Sequence, residues 1–370
     1  MKNRVKYCDA LKAMSIVLVI LIHVFAIYRD IYFNSNKLYY TIISYGDSFT
    51  RVAVPIFFMI TGAFMLGKKP EKSYKEYLFK RIPKLVIPLI IFSVIYYIYE
   101  SYKSSQSLSI LRFFQEVTTY GGVKYHFWFM YEMIRIYLLI PFISVLAKSL
   151  KRKELKNLII LIFIMGNLIN MAQLFSWKYG LNLFYGVSLS SFAICINYLL
   201  LGYYLYKYNI KEKTRKKIYI LGIISILLIP VFDLLYNDSI RSDISYVITS
   251  IFPILPSIAT FILFKNKYAN LRVPDRLEKI ITTTSTNSLY IYMIHVIILE
   301  YVNKYLALLI PQDRFIHNII LIPITLIITF ILSYIGAIIF DYFYKKIAKT
   351  LTKLLRCNRY IKRRKIYEES

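Results

Sequence analysis

The first apolar run reads Asp9-Ala10-Leu11-Lys12-Ala13-Met14-Ser15-Ile16-Val17-Leu18-Val19-Ile20-Leu21-Ile22-His23. Its Lys12 and His23 lie eleven residues apart, with only Ser15 polar between them. An α-helix turns about 100° per residue and rises about 1.5 Å, so His23 returns to within about 20° of Lys12, about 16 Å along the axis. With Lys12 at one membrane surface, His23 lies near the bilayer middle. Ionisable groups at that depth are costly and mark functional positions.

The whole chain repeats this apolar character. Of its 370 residues, 58% are hydrophobic, above the roughly half of a soluble domain. The apolar residues come in runs of about 17–23, the length that spans hydrocarbon. Ten such runs fall near 13–31, 50–67, 82–99, 127–147, 158–175, 189–206, 218–235, 247–264, 289–306 and 318–340. A signal peptide would explain only the first, and no small-residue cleavage site follows it. The fold class expected is all-α, a polytopic membrane protein built as a bundle of about ten transmembrane helices. Residues 1–344 form the membrane domain and 345–370 a basic cytoplasmic tail, read as a surface-lying helix.

The net charge of +28 would suit nucleic acid, but its placement does not. With the N-terminus inside, 37 of the 48 Lys and Arg fall on the cytoplasmic side, and ten fall on the other. That asymmetry is the positive-inside rule, and its basic surface meets anionic lipid headgroups. Both termini are expected in the cytoplasm. The abundance of Ile, Lys, Tyr and Asn points to an AT-rich genome and a bacterial cytoplasmic membrane. Cys8, Cys195 and Cys357 have no metal-ligand spacing, so neither a disulfide nor a metal is expected.

Four groups of residues could carry chemistry. Asp9, Lys12 and His23 share one helix face, and Asp9 and Lys12, three apart, are expected to pair. Most cations in the loop of Lys68, Lys69, Lys72, Lys75 and Lys80 read as topology charges. Arg81 and Lys84 differ, since they open an apolar helix around Pro83 and suit a phosphate-rich ligand. His126-Phe127-Trp128-Phe129-Met130-Tyr131-Glu132 sits at the outer end of the fourth span. There His126 can face a cavity, Trp128 can stack on a sugar, Tyr131 can border the interface, and Glu132 can pair with Arg135. The fourth group is Tyr292-Met293-Ile294-His295, a few residues into the ninth span. His317 is expected in an exposed outer loop, and Asp233 and Glu300 read as structural. No Walker loop, dinucleotide fingerprint or metal-histidine pair is present.

Taken in order, these pieces resemble the acyltransferase 3 family of integral membrane acyltransferases. That family's first helix carries Arg or Lys, ten residues, then His, matched by Lys12 and His23. Its Pro-x-Phe-Phe-x-x-Ser-Gly is matched by Pro55-Ile56-Phe57-Phe58-Met59-Ile60-Thr61-Gly62, and its Arg-x-x-Arg by Arg81-Ile82-Pro83-Lys84. Its His-x-Trp-Phe, Leu-Gly-Tyr and Tyr-x-x-His elements match His126 to Phe129, Leu201-Gly202-Tyr203 and Tyr292 to His295. The resemblance implies transfer of an acyl group from cytoplasmic acyl-coenzyme A, acetyl-coenzyme A above all, to a hydroxyl of an extracytoplasmic cell-envelope glycan or glycolipid. His23 would be central to catalysis, with Lys12 and Asp9 beside it. Arg81, Lys84 and Lys12 would bind the donor, and His126, Trp128, Tyr131, Glu132 and His295 the acceptor. Thr61 for Ser keeps a hydroxyl, whereas Lys84 for Arg loses a bidentate fork. Some relatives carry a fused extracellular domain; this sequence has none after its tenth span, so direct transfer or a separate extracytoplasmic or polysaccharide-synthesis partner is expected. A glycan or lipid exporter, or a membrane sensor binding a ligand without acyl transfer, are the competing classes.

Overall fold

The structure is a computed structural model describing residues 4–368 apart from 69–70, 72, 120, 185, 237–247, 269–270 and 311–314, with side chains to residue 350 except at 178, 236 and 348. Lys69 and Lys72 therefore lie outside the described residues, as does the side chain of Cys357. The described chain is helical, in the order α1 (Lys6–Phe33), α2 (Lys37–Ser48), α3 (Ala53–Met65), α4 (Tyr74–Arg81), α5 (Pro83–Lys103), α6 (Ile110–Thr118) and α7 (Trp128–Ser149). There follow α8 (Arg152–Ile162), α9 (Ile169–Lys178), α10 (Ser191–Lys207), α11 (Glu212–Tyr236), α12 (Ile254–Lys267), α13 (Asp275–Leu309) and α14 (Phe315–Glu368). Starts follow local chemistry: Asn36, Ser73 and Ser109 each accept a backbone N–H of the first turn, satisfying donors that a helix start leaves orphaned.

Eight stretches among the described residues are long and apolar enough to cross a membrane. The two other expected spans are present as shorter helices, α10 of 17 residues and α12 of 14. The expected span 247–264 begins late because Pro253, which lacks an N–H, stands at the start of α12 and turns precede it. His317 also departs from expectation: it lies in the first turn of α14, half-buried, not in an exposed loop. That helix runs without a break through residue 344 to Glu368.

The bundle is apolar on its outside. On α5, Ile87, Ile90, Val94, Ile95 and Ile98 are exposed, while Leu89, Phe92 and Tyr96 face inward. A water-soluble protein rarely leaves such stripes open; hydrocarbon covers them at no cost. Inside, α1 packs against α2, α3, α12, α13 and α14. It is the element the others surround.

One crossing explains two glycines of the quoted motifs. α3 and α10 pack together, and a Cβ on Gly62 would lie 1.8 Å from the Leu199 carbonyl oxygen. A Cβ on Gly202 would lie 1.9 Å from the Met59 carbonyl oxygen. Each backbone is seated in the gap the other's glycine leaves, the close approach that small residues permit between membrane helices. Gly202→Val should therefore force the pair apart and destabilise the protein by at least the ~1–3 kcal/mol of an overpacked core. Thermal unfolding in detergent micelles measures this. Gly67→Ala, where an added Cβ meets only Tyr203 at 3.7 Å, should leave the transition unmoved.

Candidate active site

The eleven-residue spacing on α1 places its two basic residues in different cavities. Lys12 lines an inner cavity of about 440 Å³. His23 lines an outer one of about 660 Å³. Asp9 does not pair with Lys12 as expected. Its carboxylate takes two hydrogen bonds from Arg4, at 2.9 and 3.0 Å, and one from the Ser285 hydroxyl at 2.6 Å. The guanidinium fork satisfies both oxygens at once, which a lysine three residues along cannot. Lys12 makes no ion pair with a carboxylate within 4.0 Å among the described residues, leaving its charge to the cavity.

The inner cavity gathers four cations, Lys12, Lys68, Arg81 and Lys84, around hydroxyls of Thr61, Tyr137 and Ser288. Arg81 pairs with Glu71 at 3.2 Å, and Lys80 meets the same carboxylate at 2.9 Å. Hydrogen bonds from Lys80 and then Arg81 hold the Glu71 carboxyl below its ordinary pKa despite some burial. Thr61 spends its proton on the Phe57 carbonyl at 2.9 Å. The same cavity has an apolar part of its lining, including Phe57, Met130 and Met133. Cations and hydrocarbon in one lining suit a ligand with a phosphate-bearing head and a thinner, less polar arm.

The outer cavity is lined by His23, Arg51, Tyr125, His126 and Trp128 among others. Phe129 and Tyr292 line both cavities, so these two side chains form the wall between them. The Tyr292 hydroxyl donates to the His126 carbonyl. Three of the chain's four histidines meet here. The His295 ring centroid lies 5.2 Å from that of His23 and 5.4 Å from that of His126. The Tyr125 hydroxyl is 3.3 Å from His23 Nδ1. Lys124, next in sequence to Tyr125, pairs with both Glu100 and Glu300, anchoring the turn that carries Tyr125 and His126. Such a set can take up or release a proton beside a polar ligand.

A buried ionic network flanks this cavity. Arg29, only 1% exposed, pairs with Asp47 at 3.0 Å and Asp233 at 3.2 Å. Tyr40 donates to Asp233 at 2.5 Å, and Arg51 pairs with Asp47. Among the described residues these pairs join α1, α2 and α11 and hold Arg51 where it borders the cavity. Sequence reading passed over Arg29, Asp47 and Arg51. Their signal was present as charges interrupting apolar runs, with Asp47 and Arg51 four apart.

The remaining candidates lie elsewhere. The Tyr131 hydroxyl donates to the Val117 carbonyl at 2.6 Å. Buried Glu132 pairs with Arg135 at 2.9 Å, and the Arg135 guanidinium sits 4.2 Å from the Phe192 ring centroid. Neither Tyr131 nor Glu132 lines the inner or outer cavity. His295 lines neither directly; it stands behind His23 and His126.

A family model described as an acyltransferase domain, that of the acyltransferase 3 family, matches residues 5–338, nearly the whole chain, and the chain belongs to that family. It is a membrane acyltransferase. No curated protein and no solved structure matches it.

The buried network yields a stability prediction. Arg29→Met removes one buried counter-charge from Asp47 and Asp233, and breaking such a pair costs about 3–5 kcal/mol. The expected result is a large drop in melting temperature in micelles. Lys216→Met, which removes an exposed pair with Glu212, should change it little. Equal melting of the two variants would contradict the network's role.

Proposed function

We propose that the protein carries an acyl group from cytoplasmic acyl-coenzyme A, acetyl-coenzyme A in the first instance, to a hydroxyl of an extracytoplasmic cell-envelope glycan or glycolipid. The observation that supports this reading best is the pair of cavities divided by Phe129 and Tyr292. One is lined by four cations and by apolar side chains; the other holds His23, His126 and an aromatic platform. Coenzyme A is too polar to cross a bilayer, whereas a small acyl group need pass only that wall. The orientation follows from the lysine and arginine asymmetry, with the inner cavity and both termini on the cytoplasmic side of a bacterial membrane.

The residues divide the work accordingly. Lys68, Arg81 and Lys84 meet the phosphates, and Lys12, deeper and without a carboxylate partner, draws the donor inward. The thioester then faces the apolar lining by Phe129 and Tyr292. Across the wall the acceptor hydroxyl sits beside His23, which takes its proton as the oxygen bonds to the acyl carbon. The carbon–sulfur bond breaks, and the proton taken up by His23 passes to the leaving thiolate, which gives the free thiol and restores neutral His23. Trp128 offers its face to the acceptor sugar. A short acyl group suits an inner cavity that must also admit the pantetheine arm.

Two tests follow. His23→Ala should abolish transfer of label from radiolabelled acetyl-coenzyme A to the envelope fraction while binding of the donor persists. Full transfer by a well-expressed His23→Ala protein would remove His23 from catalysis. For the donor, Arg81→Glu should weaken acetyl-coenzyme A binding in calorimetry by about 1–3 kcal/mol, ten-fold or more in affinity. Lys84→Arg should bind as well or better, because the fork fits phosphate. A wild-type protein that binds no acetyl-coenzyme A would favour export or sensing instead.

A further inference from the structure

His295 occupies a place that the transfer scheme above leaves without a task. It is fully buried on α13. Its Nδ1 lies 2.6 Å from the carbonyl oxygen of Tyr292, one turn back. A carbonyl can only accept, so the proton of the neutral ring sits on Nδ1 and Nε2 carries a lone pair. That Nε2 is buried and has no hydrogen-bond partner among the described residues. An orphaned acceptor at this depth costs free energy and calls for an explanation. Its nearest ring neighbours are His23 and His126, the two histidines that line the outer cavity.

The separation of the two rings is informative. Two imidazoles joined head to head by an N–H···N bond of ordinary length have centroids on the order of 5 Å apart. The His23 and His295 centroids are 5.2 Å apart with a 34° tilt, the centroid separation of such a pair. Resting hydrogen bonds of catalytic groups are often loose and tighten with substrate in place. Tyr292 binds the pieces together. Its carbonyl fixes the His295 tautomer, its hydroxyl grips the His126 carbonyl, and its ring forms part of the wall between the cavities.

We propose that His295 is a positioning residue that acts through His23: its Nε2 accepts a hydrogen bond from the His23 N–H once His23 has taken the acceptor's proton. The inference rests on the acyl-transfer reading for its chemistry, but not for its geometry. The proton leaves the acceptor hydroxyl for a nitrogen of His23, the hydroxyl oxygen bonds the acyl carbon, and the thiolate departs with the thioester's electron pair. His295 gains no proton outright. It steadies the imidazolium by hydrogen bonding, as a carboxylate steadies histidine in a serine-hydrolase triad, without adding a buried charge.

A chain with four histidines allows a direct test. Side-chain nitrogen-15 resonances of histidine-labelled protein in lipid report each tautomer, and loss of one signal in His295→Gln assigns His295. The expected result is a neutral ring protonated at Nδ1. In His295→Leu the His23 signals should shift while the melting temperature holds. A His295 protonated at Nε2, or at both nitrogens at neutral pH, would overturn the proposal whether or not acyl transfer is found. In the transfer assay with radiolabelled acetyl-coenzyme A, His295→Leu should lower kcat about 100-fold or more without raising the donor's KM. His295→Gln, whose amide oxygen can reach the place of Nε2, should recover at least about ten-fold of that loss. Equal impairment of the two variants, or wild-type turnover in His295→Leu, would also overturn it. If wild-type protein transfers nothing while the tautomer is as expected, the acyl-transfer reading fails and the positioning geometry stands.

Discussion

The cost of exposing charge to hydrocarbon governs this fold. α1 carries Lys12, His23 and Arg29 along one apolar helix, and Arg29 points to a different side from the other two. No orientation against lipid would spare all three. The solution is to surround α1 with five other helices. Arg29 is then neutralised by Asp47 and Asp233, while Lys12 and His23 each open onto a cavity. The remaining helices present apolar faces outward, where hydrocarbon is a suitable solvent.

Enclosing one helix this closely requires helices that pack near contact. The reciprocal seats of Gly62 and Gly202 bring the α3 and α10 backbones together, and α3 in turn packs on α1. Motif glycines thus act on the site at second hand. They set the distance at which α3 delivers Phe57 and Thr61 to the inner cavity and Arg51, just before it, to the outer one.

The wall between the cavities is thin by construction. Tyr292 and Phe129 come from helices that meet at the His126 turn, and that turn is pinned by the Tyr292 hydroxyl and by Lys124 on Glu100 and Glu300. Under the proposed function, this wall would keep a polar donor and a polar acceptor apart while leaving an acyl group a short path. The same turn of α13 supplies His295, so wall, tautomer and histidine cluster depend on one stretch of four residues.

The sequence by itself determined that the chain is a helical membrane protein, because apolar run length and charge asymmetry follow directly from bilayer thickness and membrane potential. It also determined that Lys12 and His23 share a face, since helical periodicity is local. It was a poorer guide to which polar residues meet. Glu132 met Arg135 as their spacing predicts, but Asp9 turned to Arg4 and Ser285, Tyr131 and Glu132 line neither cavity, and α12 began late at Pro253. The convergence of His23, His126 and His295, from α1, the turn before α7 and α13, was decided only by tertiary structure. So were the Arg29 and Arg51 pairings across more than one helix. Contacts between distant segments depend on rotation and depth of whole helices, and those are set by packing and by the need to pair every buried charge, which no single run of residues encodes.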